Sequence, residues 1–282
     1  MRPATSLLLP PIWSWGEFLE LVAGRMAHAE GHSRKRDDAW AGADFAGALR
    51  LATDGWARAL PETDVSIATL RERTGQRVRT TVLEPRWDVT GSEVDIAAYL
   101  AGEPECMIDA VPQLTTTVGR VVTLLVPAVC TAGTPNAFIQ HRGLALAALC
   151  SAIVGAGHSV EVWSGWASNP DGERYAAVAR VISPSEPLDL GRLIFAMAHP
   201  AMLRRLWFAV WDTQPEPVAR RMADTNYGQL PFTCYQEDLP DGVANAYVLP
   251  YLDKTEEQWE TLDSALAWCQ EMFRDLGLLR PD

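Results

Sequence analysis

Apolar residues recur every three or four positions near both ends of the chain and run unbroken through its middle, which separates amphipathic helices from a buried strand. Ser14 followed by Glu17, with Trp13 ahead of the pair, forms a capping box. Phe18, Leu21, Val22 and Met26 then keep helical spacing as far as Gly31. A second helix is predicted from Asp44, with Phe45, Leu49, Ala52 and Trp56 on one face. The polar and basic residues 28–43 between them read as a loop, so 1–85 is expected to be a helical N-terminal segment. Near the C-terminus, Thr255 and Gln258 predict a cap. Trp259, Leu262, Leu266, Cys269, Met272, Phe273 and Leu276 form the stripe behind it, and Gly277 the stop.

The middle of the chain reads differently. Val121–Val129 is continuously apolar, as a strand covered on both faces requires. Thr134 is expected to cap a helix with Pro135 at its first position, running to Val154 and stopped by Gly155 and Gly157. That helix is apolar nearly all round, which predicts deep burial. His158–Trp166 follows as a second strand, parallel to the first through a right-handed crossover. The turn Asn169-Pro170-Asp171-Gly172 returns Tyr175–Ile182 antiparallel to it. Leu188–Ala198 is predicted helical, ending at His199-Pro200. Leu206–Trp211 is read as a strand on its aromatic and β-branched content, with helix as the alternative, and Ala244–Tyr251 as a further strand. Within 86–118 the pattern gives a turn at Thr90-Gly91, one helical turn over Ile96–Leu100 and a loop over 101–105. The expected fold is α/β: a three-layer, mainly parallel sheet with an antiparallel hairpin over 86–282, preceded by the helical segment or continuous with it.

Composition narrows the function classes. Hydrophobic residues make up 48% and charged residues 21%, which fits a folded chain; 282 residues allow one large domain or two small ones. Twenty-four basic and 36 acidic residues leave a net charge of −12, which works against nucleic-acid binding. Arg34-Lys35-Arg36 is followed at once by Asp37-Asp38 and reads as a solvated loop. The five cysteines are odd in number, widely spaced and without a Cys-x-x-Cys pair, so neither a disulfide framework nor a zinc ribbon is indicated, and a reducing cytoplasm is expected. The Leu7–Leu9 run, broken by Pro10-Pro11, is too short for a membrane span or a signal core.

Familiar catalytic motifs fail position by position. Neither lysine follows a glycine, so there is no P-loop; Gly155-Ala156-Gly157 has Val160 where a dinucleotide fingerprint needs a third glycine. Cys130 follows a buried strand as a phosphatase nucleophile would, but Asn136 stands where that loop needs arginine. Three places keep some chemistry. In the loop from Thr131 to Asn136, Thr131, Thr134 and Asn136 could contact an anion beside free N–H groups at a helix start; the competing reading makes Thr134 only a helix cap. The acidic stretch Asp88, Glu93, Asp95, Glu103, Glu105 and Asp109 could supply oxygen ligands, or be a solvated negative face. His141, His158 and His199 could act as acid or base given a partner, or be structural.

The order strand, helix, strand, tight hairpin, antiparallel strand, helix from Val121 onward resembles a von Willebrand factor A-like domain. The residues carrying it are Val121–Cys130, Pro135–Val154, the hairpin His158–Ile182 and Leu206–Thr213, a little over half the chain. That family opens its metal site with Asp-x-Ser-x-Ser after the first strand, where this chain reads Pro127-Ala128-Val129-Cys130-Thr131. Asp212 could match a later metal-site aspartate, so the resemblance implies a degenerate, metal-free member. Trp40–Trp56 and Asp88–Met107 are also similar to phage-encoded proteins. The expectation is a non-enzymatic, cofactor-free module binding a protein partner or itself, with Trp166, Trp211, Arg204 and Arg205 as its surface. A hydrolase or nucleotide-handling enzyme using Thr131, Thr134, Asn136 and His141 is the alternative. A nucleic-acid accessory protein, through Arg34, Lys35, Arg36, Arg204 and Arg205, is a third.

Overall fold

The computed structural model describes residues 5–25, 27, 32–34, 37–74, 83–112, 119–227 and 231–278. They fall into two compact units, Met1–Gln76 with Gly119–Asp282, and Arg77–Val118. The division expected near residue 85 thus lies inside the smaller unit, and the N-terminal segment belongs to the larger one.

The larger unit begins with a strand, which the helical reading of 1–85 did not anticipate. β1 (Thr5–Leu8) pairs parallel with a later strand at the sheet edge. An edge tolerates Pro10 and Pro11, because the missing N–H groups there need no ladder partner. α1 (Trp15–Ala23) has Ser14 accepting from the Glu17 N–H, as its capping box predicts, and buries Trp15, Phe18 and Val22. It ends at Gly24, and not at Gly31. The expected loop holds a short helix, α2 (Asp38–Ala41). α3 (Phe45–Asp54) is capped by Asp44 as predicted, and α4 (Leu60–Arg73) completes the N-terminal helices.

The smaller unit contains β2 (Leu83–Asp88), β3 (Glu93–Val94), α5 (Ile96–Leu100) and β4 (Met107–Pro112). β4 lies between β2 and β3 and is antiparallel to both. The turn at Thr90-Gly91, the helical turn and the loop after it all fall where the sequence puts them.

In the larger unit, β5 (Val121–Pro127) is buried at every position after the first. α6 (Asn136–Gly155) carries the chain to β6 (Ser159–Ser168), parallel to β5. α6 is long and apolar enough to cross a bilayer, but 67% of its apolar window is buried, as in a core helix. β7 (Arg174–Ile182) returns antiparallel. The five residues 169–173 that join the two strands hold a 3-10 turn at Pro170–Gly172, with Asp171 and Gly172 both at positive φ. α7 (Leu190–Ala198) crosses α6 so closely that a Cβ on Gly143 would lie 2.3 Å from the Ala198 Cα.

Leu206–Trp211 is helical, a correction to the strand reading: a π-helical stretch, Met202–Trp207, runs into α8 (Phe208–Asp212). Five of these six residues are buried, and an apolar run covered on all sides has no period to distinguish strand from helix. α9 (Glu216–Asp224) follows. β8 keeps only Tyr247–Val248 of the expected 244–251, parallel to β5. α10 (Leu262–Asp275) starts later than predicted, capped by Thr261 with Ser264. The Thr255 hydroxyl and N–H both go to Asp253 instead of capping a helix.

The sheet order is β1-β7-β6-β5-β8, so the Val121 strand is interior, as expected. The fold is α/β, with helices over one face, where Val122, Leu124, Val126, Val160 and Val162 join the main core. The other face is covered without helices: Leu125, Trp163, Ala167, Ala176 and Val178 pack under Phe232, Cys234, Leu239, Val243 and Val248.

Candidate ligand pocket

At the carboxyl ends of β5 and β6 the helical face of the sheet opens into a cavity of about 330 Å³. In open α/β sheets, ligands sit in this crevice beyond the strand ends. Its floor is the stretch Val129–Gly133 after β5 together with Trp166 and Ser168 of β6. Its walls are Leu203, Arg204 and Phe208 of the helical stretch, Asn226 and Tyr227 after α9, and Trp40 of α2. Two features of this wall are unusual backbone. Arg204 lies on a π-helical stretch, and Asn226 and Tyr227 both have positive φ, 50° and 57°. Such conformations cost energy and concentrate at functional sites. Tyr227 is held there: its hydroxyl donates to Asp212 Oδ1 at 2.5 Å, and its ring stacks on Phe208 with centroids 3.9 Å apart.

Arg204 dominates the electrostatics. It is 5% exposed, lies over the Trp40 ring and donates to the Trp40 carbonyl and to Asn136 Oδ1 at 2.7 Å. No carboxylate lies within ion-pairing distance of it among the described residues. Burial holds its pKa below the usual arginine value. Burial also pushes the Cys130 thiol up, against the pull of Arg204 and of a hydrogen bond with Thr134, so Cys130 rests as a neutral thiol in the wall. The second polar feature is Ser168: it is 1% exposed, lines the cavity, and its hydroxyl has no hydrogen-bond partner among the described residues. Buried hydroxyls are rarely left so.

The residues predicted from the Thr131–Asn136 loop divide. Thr131 lines the cavity, but its hydroxyl is shared with Thr134 and accepts from the Lys254 N–H. Thr134 is no helix cap: Pro135 holds the N-cap position, and the Thr134 hydroxyl donates to the Thr131 carbonyl at 2.8 Å. Because Pro135 has an extended ψ of 143°, the helix starts one residue later, and Thr134 faces back into the loop. Asn136 serves Arg204, and His141 stands apart, its Nδ1 bonded to the Trp259 carbonyl at 3.1 Å.

The expected partner surface is corrected more fully. Trp166 and Trp211 are 1% and 0% exposed and pack tilted against each other inside the core, their ring centroids 4.7 Å apart. Arg205 is 1% exposed and ties the Ser33 and Ala43 carbonyls and Asp38 together. With Arg204 and Arg205 buried, these cations form no outer surface; Lys35 and Arg36 lie outside the described residues. Sequence reasoning missed Ser168, Tyr227 and Trp40. Ser168 alone left a signal, as a hydroxyl between the second predicted strand, His158–Trp166, and the turn at Asn169.

The residues that the resemblance to a von Willebrand factor A-like domain marks for a metal, 127–131 and Asp212, do not fit a hard cation. The lining described has no carboxylate, the Thr131 hydroxyl is already committed, and Asp212 is occupied by Tyr227 and the Ser33 N–H. Among the described residues no three His, Cys, Asp or Glu side chains cluster as metal ligands. A second, smaller cavity of about 20 Å³ beside Arg142 and His199 has room for one water.

No curated protein and no solved structure matches this chain. A family model described as a domain of unknown function (DUF7192) matches residues 2–280, across both units, and the chain belongs to that family.

Proposed function

We propose that this member of the DUF7192 family is a non-enzymatic binding module whose pocket takes a small ligand with one acidic group and a flat apolar body. The observation that carries the reading is Arg204: a buried guanidinium with aromatic and carbonyl neighbours and no carboxylate within ion-pairing distance among the described residues, Asp37 acting on it only from farther away. Burying such a charge costs several kcal/mol, roughly, unless an anion completes the site. Ser168 supplies a hydroxyl within the same cavity, and Trp40, Phe208 and Tyr227 supply flat surface. A volume of about 330 Å³ suits a small molecule and is too narrow for a folded partner. The lining described has no histidine and no carboxylate, so the hydrolase reading lacks a general base within reach.

The von Willebrand-like resemblance is supported by the order β7-β6-β5-β8 with β7 antiparallel, and the pocket occupies the family's ligand end of the sheet. A reducing, cytoplasmic setting is supported by five cysteines that are all free.

Titration calorimetry with naphthoate, naphthyl phosphate and their neutral amide and alcohol counterparts tests the pocket. The acids are expected to bind at least tenfold more tightly than the neutral forms, and Arg204→Met to erase that preference. Acid binding with unchanged selectivity in Arg204→Met, or no saturable acid binding, overturns the proposal.

A further inference from the structure

The smaller unit has a feature opposite to the rest of the chain: none of its side chains described between residues 87 and 108 is buried. α5 shows this most sharply. Ile96, Tyr99 and Leu100 stand at i, i+3 and i+4, the spacing that puts them on one helix face. Such a stripe normally faces a core, yet here the three residues are 69%, 65% and 78% exposed. The helix is capped at both ends. The Asp95 carboxylate accepts from the Ala97 and Ala98 N–H groups, and the Glu103 N–H returns to the Ala98 carbonyl across Gly102. So a capped helical turn holds an apolar stripe outward.

The charge around the stripe is one-sided. From Trp87 to Ile108 there are five acidic residues, Asp88, Glu93, Asp95, Glu103 and Glu105, and no lysine or arginine. Glu93, Glu103 and Glu105 are exposed. Two copies meeting through this face would bring five negative charges against five. Nucleic acid and anionic lipid would be repelled in the same way.

We propose that the Ile96–Tyr99–Leu100 stripe is a docking surface for a partner-protein segment that carries lysine or arginine around apolar side chains. The apolar residues supply the buried anchor, and the acidic rim selects basic partners and speeds encounter. This surface is independent of the pocket, so either proposal can fail alone.

The test uses the full chain and two fluorescein-labelled synthetic helical peptides with the same leucine face, one rimmed by lysine and one by glutamine. By fluorescence anisotropy, the lysine peptide is expected to bind at least tenfold more tightly than the glutamine peptide. Tyr99→Ser with Leu100→Ser should weaken it tenfold or more, as should Glu103→Lys with Glu105→Lys. The exposed side chains substituted here leave circular dichroism and the naphthoate affinity of the pocket unchanged. Equal affinity for both peptides, or lysine-peptide binding indifferent to Tyr99→Ser with Leu100→Ser, overturns the proposal. So does concentration-dependent self-association that those substitutions abolish, which would make a second copy the occupant.

Discussion

Two buried arginines in the larger unit meet opposite fates, and the contrast separates a fold-holding charge from a site-forming one. Arg174, at the start of β7, donates to Asp238 Oδ1 at 2.9 Å and to Oδ2 at 2.5 Å, with Thr233 and the Tyr235 ring completing its surroundings. Its side chain is fully covered, and Asp238 also accepts from the Tyr235 N–H. That corner is electrostatically closed, and it clamps the irregular segment 232–248 onto the helix-free face of the sheet. Arg204, on the helical face, is also buried, at 5% exposed, but bonded only to neutral groups. A closed pair stabilises the chain it belongs to, whereas an open cation stabilises whatever anion arrives.

The largest effect should come from breaking the closed corner. Asp238→Asn keeps the shape but leaves the Arg174 charge buried without its counter-charge, and removing one partner of a buried pair costs about 3–5 kcal/mol. Urea unfolding monitored by tryptophan fluorescence should show that loss; a change below about 1 kcal/mol would mean that Arg174 does not need its carboxylate and would dissolve the contrast.

His199 shows a third way of handling a buried titratable group, which is to keep it neutral. Only 7% exposed, it packs edge-on against Trp56 and over Phe195, and its Nδ1 accepts from the Ala201 N–H. Burial lowers its pKa from 6.5 to about 4. The unfolded chain therefore binds a proton more readily, so this contribution is complete above pH 6.5 and is lost as the pH falls toward 4. The loss amounts to about 3 kcal/mol at roughly 1.4 kcal/mol per pKa unit. Unfolding free energies measured at intervals between pH 7 and 4 should fall by that order, and His199→Gln should flatten the profile across that window. An equally steep fall in the variant would assign the acid sensitivity to other groups.

What the sequence discloses depends on how local the signal is. β5, α6, β6 and β7 are legible because each is signed within a few residues: an unbroken apolar run, paired glycines after a helix, an Asp-Gly turn. Leu206–Trp211 is not, since an apolar segment buried on all sides carries no period. β1 is missed because three leucines before two prolines become a strand only through pairing with β7, more than 160 residues away. The loop after β5 is legible as a pocket-lining position from the strand-to-helix order alone. Its key cation is not: adjacent Arg204 and Arg205 look alike, and only the tertiary structure gives one of them an ion pair with Asp38 and leaves the other without one among the described residues. The same limit misplaced Trp166 and Trp211 on the surface. Aromatic content shows where burial energy is available, while exposure is decided by what the fold lays on top.

The smallest effect sharpens the open half of the contrast. Ser168 buries a hydroxyl without a partner, and such a group costs about 1–3 kcal/mol at most when a bond is withheld, less where water can reach it through the cavity. Ser168→Ala removes the group and its unmet need together, so the unliganded protein should be unchanged or more stable by up to about 1 kcal/mol. With a saturating acid that the hydroxyl contacts, the sign should reverse, because the variant loses a bond that the wild type makes only when liganded. Thermal unfolding of both proteins, with and without naphthoate, measures this as a crossing of two small shifts. A Ser168→Ala protein less stable than wild type without ligand would show that the hydroxyl already has a partner, and the pocket would then have one open polar group, Arg204, in place of two.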